Sequence, residues 1–136
     1  MKTALLFLGL STTAAFAQPN TCGGLTSVTD GAQPVYPPIA RVAHVSGMVI
    51  MLVSFKTTGE ADTVQIVSGP LMLQQAATDY IKLWKANSYT GPRTCPIVIT
   101  YIASAIDCKP SPGSVIRTDP QHVVIHGAGT SCTVNY

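Results

Sequence analysis

Three kinds of side chain in this sequence could do chemistry: three histidines, four cysteines and six scattered carboxylates. His122 and His126 stand four apart in HVVIH, and His44 lies far upstream. Imidazoles are common metal ligands, so these three could hold an ion. HVVIH has strand composition, however. Residues four apart on a strand share a face but are about 13 Å apart. Two such rings do not meet one ion without a bend, so polar strand positions are the plainer reading and no metal is expected.

The carboxylates Asp30, Glu60, Asp62, Asp79, Asp107 and Asp119 fall in turns or at polar helix positions. Glu60 and Asp62 share one side of a turn, where carboxylates are normally solvated. An acid–base pair needs burial or a close partner to shift its pKa, and the sequence offers neither. No G-x-S-x-G elbow is present. Gly127-Ala128-Gly129 lacks the lysine and helix of a phosphate-binding loop. Neither an enzyme nor a cofactor is expected.

The cysteines point to an exported chain. Lys2, the apolar run Ala4–Leu10 and Ala15-Phe16-Ala17 read as a cleavable signal peptide over residues 1–17. The run is too short to span a bilayer, so no membrane anchor is expected after cleavage at Gln18. The remaining 119 residues suffice for one domain with one core. Cys22, Cys95, Cys108 and Cys132 then suggest two disulfides in an oxidising compartment, periplasmic or extracellular. Cys95 and Cys108 flank the extended run Ile97–Ala103, which alone spans about 23 Å, so those two cannot be bonded. Cys22–Cys95 with Cys108–Cys132, or Cys22–Cys108 with Cys95–Cys132, remain; the first is favoured. Without Lys2, seven basic residues face six acidic ones. That balance speaks against nucleic-acid binding, which needs clustered basic residues.

These residues must be positioned by a short series of elements. Residues 18–32 read as an irregular arm. Pro37-Pro38 can open a helix, in which Ile39, Val42 and Ala43 recur at helical spacing before Gly47 stops it. Met48–Phe55 is an almost unbroken apolar run, expected as a central strand buried on both faces. A turn at Thr57–Glu60 leads to a second strand, Ala61–Val67. Pro70 starts a second helix with an apolar face of Leu73, Ala76, Ala77, Tyr80, Ile81 and Trp84, ending near Asn87. Ile97–Ala103 is the third strand, and Pro96 fits only its first position. Ser114–Thr118, His122–His126 and Thr130–Asn135 read as three short strands of a tail. The doubled VSG, Val45–Gly47 and Val67–Gly69, reads as two unrelated turns.

In this order, Gln33-Pro34, Tyr36-Pro37, Ala40-Arg41, Gly47, Gly59, the stretch Val64–Pro70, Trp84 and the apolar third strand resemble the C-terminal domain of TonB, the energy transducer of Gram-negative envelopes. The resemblance covers residues 33–103. It implies an α+β fold: a three-stranded antiparallel sheet with two helices on one face, in αββαβ order, here followed by a short C-terminal β extension. It also implies a binding mode. The third strand is a sheet edge that accepts an extended peptide, such as the plug segment of an outer-membrane transporter, as an added strand. By that resemblance the partner-binding residues are Gln33, Pro34, Tyr36, Pro37, Ile97, Val98, Ile99, Thr100 and Tyr101. Tyr36 could equally be a core anchor. The same edge could pair with another copy of the chain to give a homodimer.

The departures bear on function. The long proline-rich spacer and uncleaved anchor of a full transducer are replaced by a signal peptide and a short arm. The expected organisation is residues 1–17 signal, 18–32 arm, 33–106 TonB-like domain and 107–136 a disulfide-linked β extension. That extension could pair with the third strand and close its edge. Two readings follow: an exported peptide-binding domain in energy-dependent outer-membrane transport, or an adaptor or carrier whose sheet edge is sealed by its own tail and whose function lies on the tail surface.

Overall fold

A computed structural model of the chain describes residues 22, 25–26, 33–86, 91–104 and 112–129. Expectations for the signal peptide, most of the arm, Asp30, Asn87, the 106/107 boundary, Asp107, Cys108, Thr130–Asn135 and Cys132 lie outside these residues.

The order is β1 (Leu25–Thr26), α1 (Pro38–Val42), β2 (Gly47–Phe55), β3 (Ala61–Ser68), α2 (Leu71–Lys82), β4 (Lys85–Ala86), β5 (Thr94–Ile102), β6 (Ser114–Asp119) and β7 (His122–His126). β1 and β4 form a small antiparallel pair, and the other five strands form one mixed sheet ordered β3-β2-β5-β7-β6. Within it, β3-β2-β5 is the expected antiparallel αββαβ core. Its reason is local. Two β-branched, apolar strands joined by a tight turn pair directly, whereas the return from β3 to β5 needs the crossover helix α2.

The tail does not stand apart from that core. β7 joins β5 in parallel, Val98 opposite His122 through Ile102 opposite His126, and β6 folds back antiparallel on β7. Val123 and Ile125 of β7 are 1% and 2% exposed. The extension is therefore part of the hydrophobic core, which also takes Val49, Met51 and Val53 from β2, Ile97, Ile99 and Tyr101 from β5, and Leu73, Ala77 and Ile81 from α2.

Several expectations are corrected. β2 is central, but only one of its faces is in the core. Met48 and Leu52 on the other face remain 55% and 37% exposed, because the helices cover one side of the sheet only. The apolar spacing of α1 is real, yet Ile39, Val42 and Ala43 face outward and Ala40 alone is buried. A five-residue helix turns one narrow side to the core, and the smallest side chain lets it come close. α2 ends at Lys82 rather than near Asn87. Trp84 lies just beyond it, fully buried, and Lys85–Ala86 pair with Leu25–Thr26 instead. β5 begins at Thr94, so Pro96 sits inside the strand. β7 pairs only from Val98 onward, so Pro96 lies where a missing N–H is tolerated.

The two VSG repeats meet in space. A Cβ on Gly47 would lie 2.8 Å from Pro70 Cγ, and one on Gly69 would lie 2.8 Å from the Met48 carbonyl oxygen. Gly69 also has φ +138°, a conformation disfavoured for L side chains. The paired glycines let the chain enter α2 hard against the start of β2.

Candidate partner-binding surfaces

Two stretches were expected to touch a partner, and the structure treats them differently. Gln33–Pro37 leads into α1. Pro37 is its N-cap with an extended ψ of 131°, and Pro38 takes the first turn, where no N–H is required. Gln33 is exposed, and Pro34, Tyr36 and Pro37 are half-buried. Tyr36 turns inward. Its hydroxyl donates to the Val45 carbonyl at 2.5 Å, and its ring stands edge-on to Tyr101, centroids 5.4 Å apart. A Cβ on Gly127, in the tail, would lie 3.3 Å from that ring. Tyr36 is thus an anchor joining the entry segment, β5 and the segment after β7. Burial is the main cause raising its phenol pKa.

Ile97–Tyr101 alternates strictly. Ile97, Ile99 and Tyr101 point into the core with no exposure, while Val98 and Thr100 lie half-buried on the open face. Burial pushes the Tyr101 phenol far up, the neighbouring Tyr80 adding to it. β2 pairs along one side of this stretch, and β7 pairs along the other from Val98. Gln121 extends the seal: its carbonyl accepts from the Val98 N–H at 2.8 Å, and its side-chain amide donates to the Pro96 carbonyl at 3.0 Å. The expected third-strand edge is filled by the chain's own tail. Among the described residues the outermost strands of the sheet are β3 and β6.

The histidines do not converge, and no group of three metal-ligating side chains is placed to hold an ion among the described residues. His122 Nδ1 instead meets the Asp119 carboxylate, 2.7 and 2.8 Å from its oxygens. That contact and the Gln121 backbone N–H hold Asp119 below the usual carboxylate range.

The arm is tied down as expected. Cys22 is bonded to Cys95, with Cα atoms 6.2 Å apart, while Cys108 and Cys132 lie outside the described residues. A second tie holds the arm: the Arg117 guanidinium lies 4.2 Å from the centre of the Trp84 ring, and its Nη1 donates to the Leu25 carbonyl at 3.3 Å. Burial lowers the pKa of Arg117. Its Nε and Nη2, with Trp84 Nε1, make no hydrogen bond of good geometry among the described residues, although the Tyr80 phenol lies near enough to counter part of the lowering at Arg117.

A surface the sequence did not single out lies beside Gln33–Pro38. There a groove of about 420 Å³ runs between Pro34, Val35, Pro37 and Pro38 on one wall and Met72, Gln75, Ala76, Asp79, Tyr80 and Leu83 of α2 on the other. The available signal was Met72 and Leu83, apolar residues outside the core-facing stripe of α2.

Comparison with known proteins settles the family. The family model described as "Gram-negative bacterial TonB protein C-terminal" matches residues 32–102. This chain belongs to that family. As a member of the TonB C-terminal family it is a TonB-like protein-interaction domain, expected to work through protein partners. The match stops at Ile102, the last residue of β5, so β6 and β7 lie beyond it. The solution NMR structure of the Pseudomonas aeruginosa TonB C-terminal domain is similar, at 16% identity and a TM-score of 0.44 over 61% of this chain and 88% of that one. No curated protein matches the chain. No helix among the described residues is long and apolar enough to cross a membrane.

Proposed function

We propose that this chain is an exported, self-complemented interaction domain of the TonB C-terminal type. Its own β7 takes the place on the third strand where the family resemblance puts a partner peptide, and strand addition moves outward to β6. The observation that carries this reading is the β5–β7 ladder, Val98–Ile102 against His122–His126.

Opening β5 to a foreign strand would expose Val123 and Ile125 and uncover Tyr36. Two such apolar side chains alone cost about 3–6 kcal/mol. A partner therefore gains more by adding to β6. That strand presents Val115 and Ile116, 39% and 50% exposed, and no further strand pairs with it among the described residues. The partner class is an extended segment of an envelope protein, such as the plug end of an outer-membrane transporter, met in the periplasm or outside the cell. In outer-membrane transport the domain would act as an adaptor. Gln33, Pro34, Tyr36, Pro37 and Ile97–Tyr101 then support the fold behind the edge rather than touch the peptide.

The test is a titration with transporter-plug peptides, comparing wild type, Val115→Pro and Ile116→Pro. Neighbouring N–H groups of an edge strand point alternately in and out, so one of the two variants removes an outward donor. That variant is expected to bind about tenfold more weakly. Equal affinity for all three proteins, or peptide binding that removes hydrogen-exchange protection at His122–His126, sinks the reading.

A further inference from the structure

The groove beside α2 is a second candidate surface, away from the β6 edge. Its lining is mostly apolar, but one charged side chain, Asp79, stands in it. Gln75 Nε2 donates to Asp79 Oδ1 at 2.8 Å. Among the described residues no basic nitrogen lies within 4.0 Å of that carboxylate; the two ion pairs found are Lys85–Glu60 and His122–Asp119. Apolar side chains continue around the groove, with Val35 63%, Met72 50% and Leu83 44% exposed.

The wall formed by Pro34, Pro37 and Pro38 narrows the class of ligand. Proline has no backbone N–H, so Pro34, Pro37 and Pro38 cannot donate to an added strand and the wall is a poor sheet edge. Side-chain contacts are then the main means of holding a ligand whose own backbone stays hydrated. Polyproline II segments meet that condition, having no internal hydrogen bonds and little freedom to lose. The wall is itself fixed. Prolines set its φ angles, and Tyr36 pins it through Val45 and Tyr101, so little ordering is needed on binding.

We infer that this groove binds an extended, proline-rich segment of a partner protein carrying one lysine or arginine, its apolar side chains against Met72 and Leu83 and its cation beside Asp79. The carboxylate selects the charge of the ligand, and the apolar walls supply most of the contact. This site is independent of strand addition at β6, so each can fail alone.

The probe is a proline-rich octapeptide with one leucine and one arginine, titrated into the full chain by NMR. Parallel titrations use the same peptide with glutamine or glutamate in place of arginine. The arginine peptide is expected to shift the amides of Met72, Gln75 and Leu83 and to bind more tightly than the glutamate peptide. Asp79→Asn should weaken the arginine peptide about threefold, the range of a partly exposed ion pair, and leave the glutamine peptide unchanged. Met72→Glu, at an exposed position, should weaken it about tenfold or more. Val115→Pro and Ile116→Pro should have no effect. No binding at millimolar peptide overturns the inference. So does equal affinity for the arginine and glutamate peptides, or binding unchanged by Met72→Glu.

Discussion

The ring of Tyr36 stands edge-on to that of Tyr101, 5.4 Å between centroids at an interplanar angle of 88°. Edge-to-face pairs place the positive rim of one ring on the negative face of the other. Tyr101 is fully buried on β5, and the Tyr36 hydroxyl is tied to Val45. The contact therefore clamps the chain's entry segment onto the middle strand of the sheet. Tyr36→Ala is expected to cost about 3–5 kcal/mol, as for other large aromatic truncations. Tyr36→Phe keeps the ring pair and loses only one hydrogen bond, about 1 kcal/mol. Urea denaturation of the two variants measures both. A Tyr36→Ala protein as stable as wild type would show that the tyrosine is a surface contact instead.

The tail should behave as core. Ile125 is 2% exposed and lies opposite Tyr101 in the β5–β7 ladder. Ile125→Ala is expected to destabilise the whole domain by about 2–5 kcal/mol in a single cooperative transition. A dispensable flap would give a loss under about 0.5 kcal/mol, the range of surface substitutions. Equilibrium unfolding followed by Trp84 fluorescence distinguishes the two.

Cys22–Cys95 closes a loop across 73 positions of sequence. The chain-entropy model gives about 4 kcal/mol for a loop of that size. Cys22→Ser with Cys95→Ser should lower the midpoint of thermal unfolding accordingly, by many degrees for a domain of this length. An unchanged midpoint would mean that Leu25 and Arg117 hold the arm without the bond.

Asp119 provides a pH-dependent contribution of known sign. Its hydrogen bond from His122 and the Gln121 N–H hold its pKa below that of the unfolded chain. The stabilisation is therefore present above the unfolded value, near 4, and is lost as pH falls through the lower folded value. Asp119 is surface-exposed, so the effect is modest and screened by salt. Asp119→Asn should flatten the fall of stability below about pH 4. Thermal melts between pH 5 and pH 2 measure the slope, and identical slopes in both proteins would refute the assignment.

Much of the αββαβ core could be read from residue types alone. Pro37-Pro38 opened α1 and Pro70 opened α2, and β-branched runs made the strands. The order Gln33–Pro37, Gly47, Gly59 and Trp84 carried the family. What escaped was set by tertiary partners. Continuous apolarity in Met48–Phe55 suggested two buried faces, but a strand's period cannot tell a covered face from an open one. Likewise the spacing of Ile39 and Val42 fixed a shared side of α1, not its direction. Composition predicts three short tail strands, of which Ser114–Thr118 and His122–His126 correspond to β6 and β7, but nothing local in them decides between a free third-strand edge and one closed by the tail. The groove combines Met72, Gln75, Asp79 and Leu83 from outside the core-facing stripe of α2 with Ala76 and Tyr80 from within it, a mixture that amphipathic spacing does not reveal.

Arg117 tests whether a half-buried cation is needed at all. Its guanidinium lies over Trp84 and bonds Leu25 through Nη1, yet Nε and Nη2 are buried without a well-placed acceptor among the described residues. Stacking on an indole contributes about 0.5–2 kcal/mol, while each unsatisfied buried donor costs about 1–3 kcal/mol. The two opposing contributions are comparable, so the aliphatic stem and its packing should decide the sign. Arg117→Met keeps a long apolar chain over the ring and removes the stranded donors. It should leave stability within about 1 kcal/mol of wild type or raise it. Arg117→Ala leaves Trp84 uncovered and should be clearly destabilising. If methionine proves as damaging as alanine in denaturant titrations, the charge itself holds the arm to β6, and the stem does not.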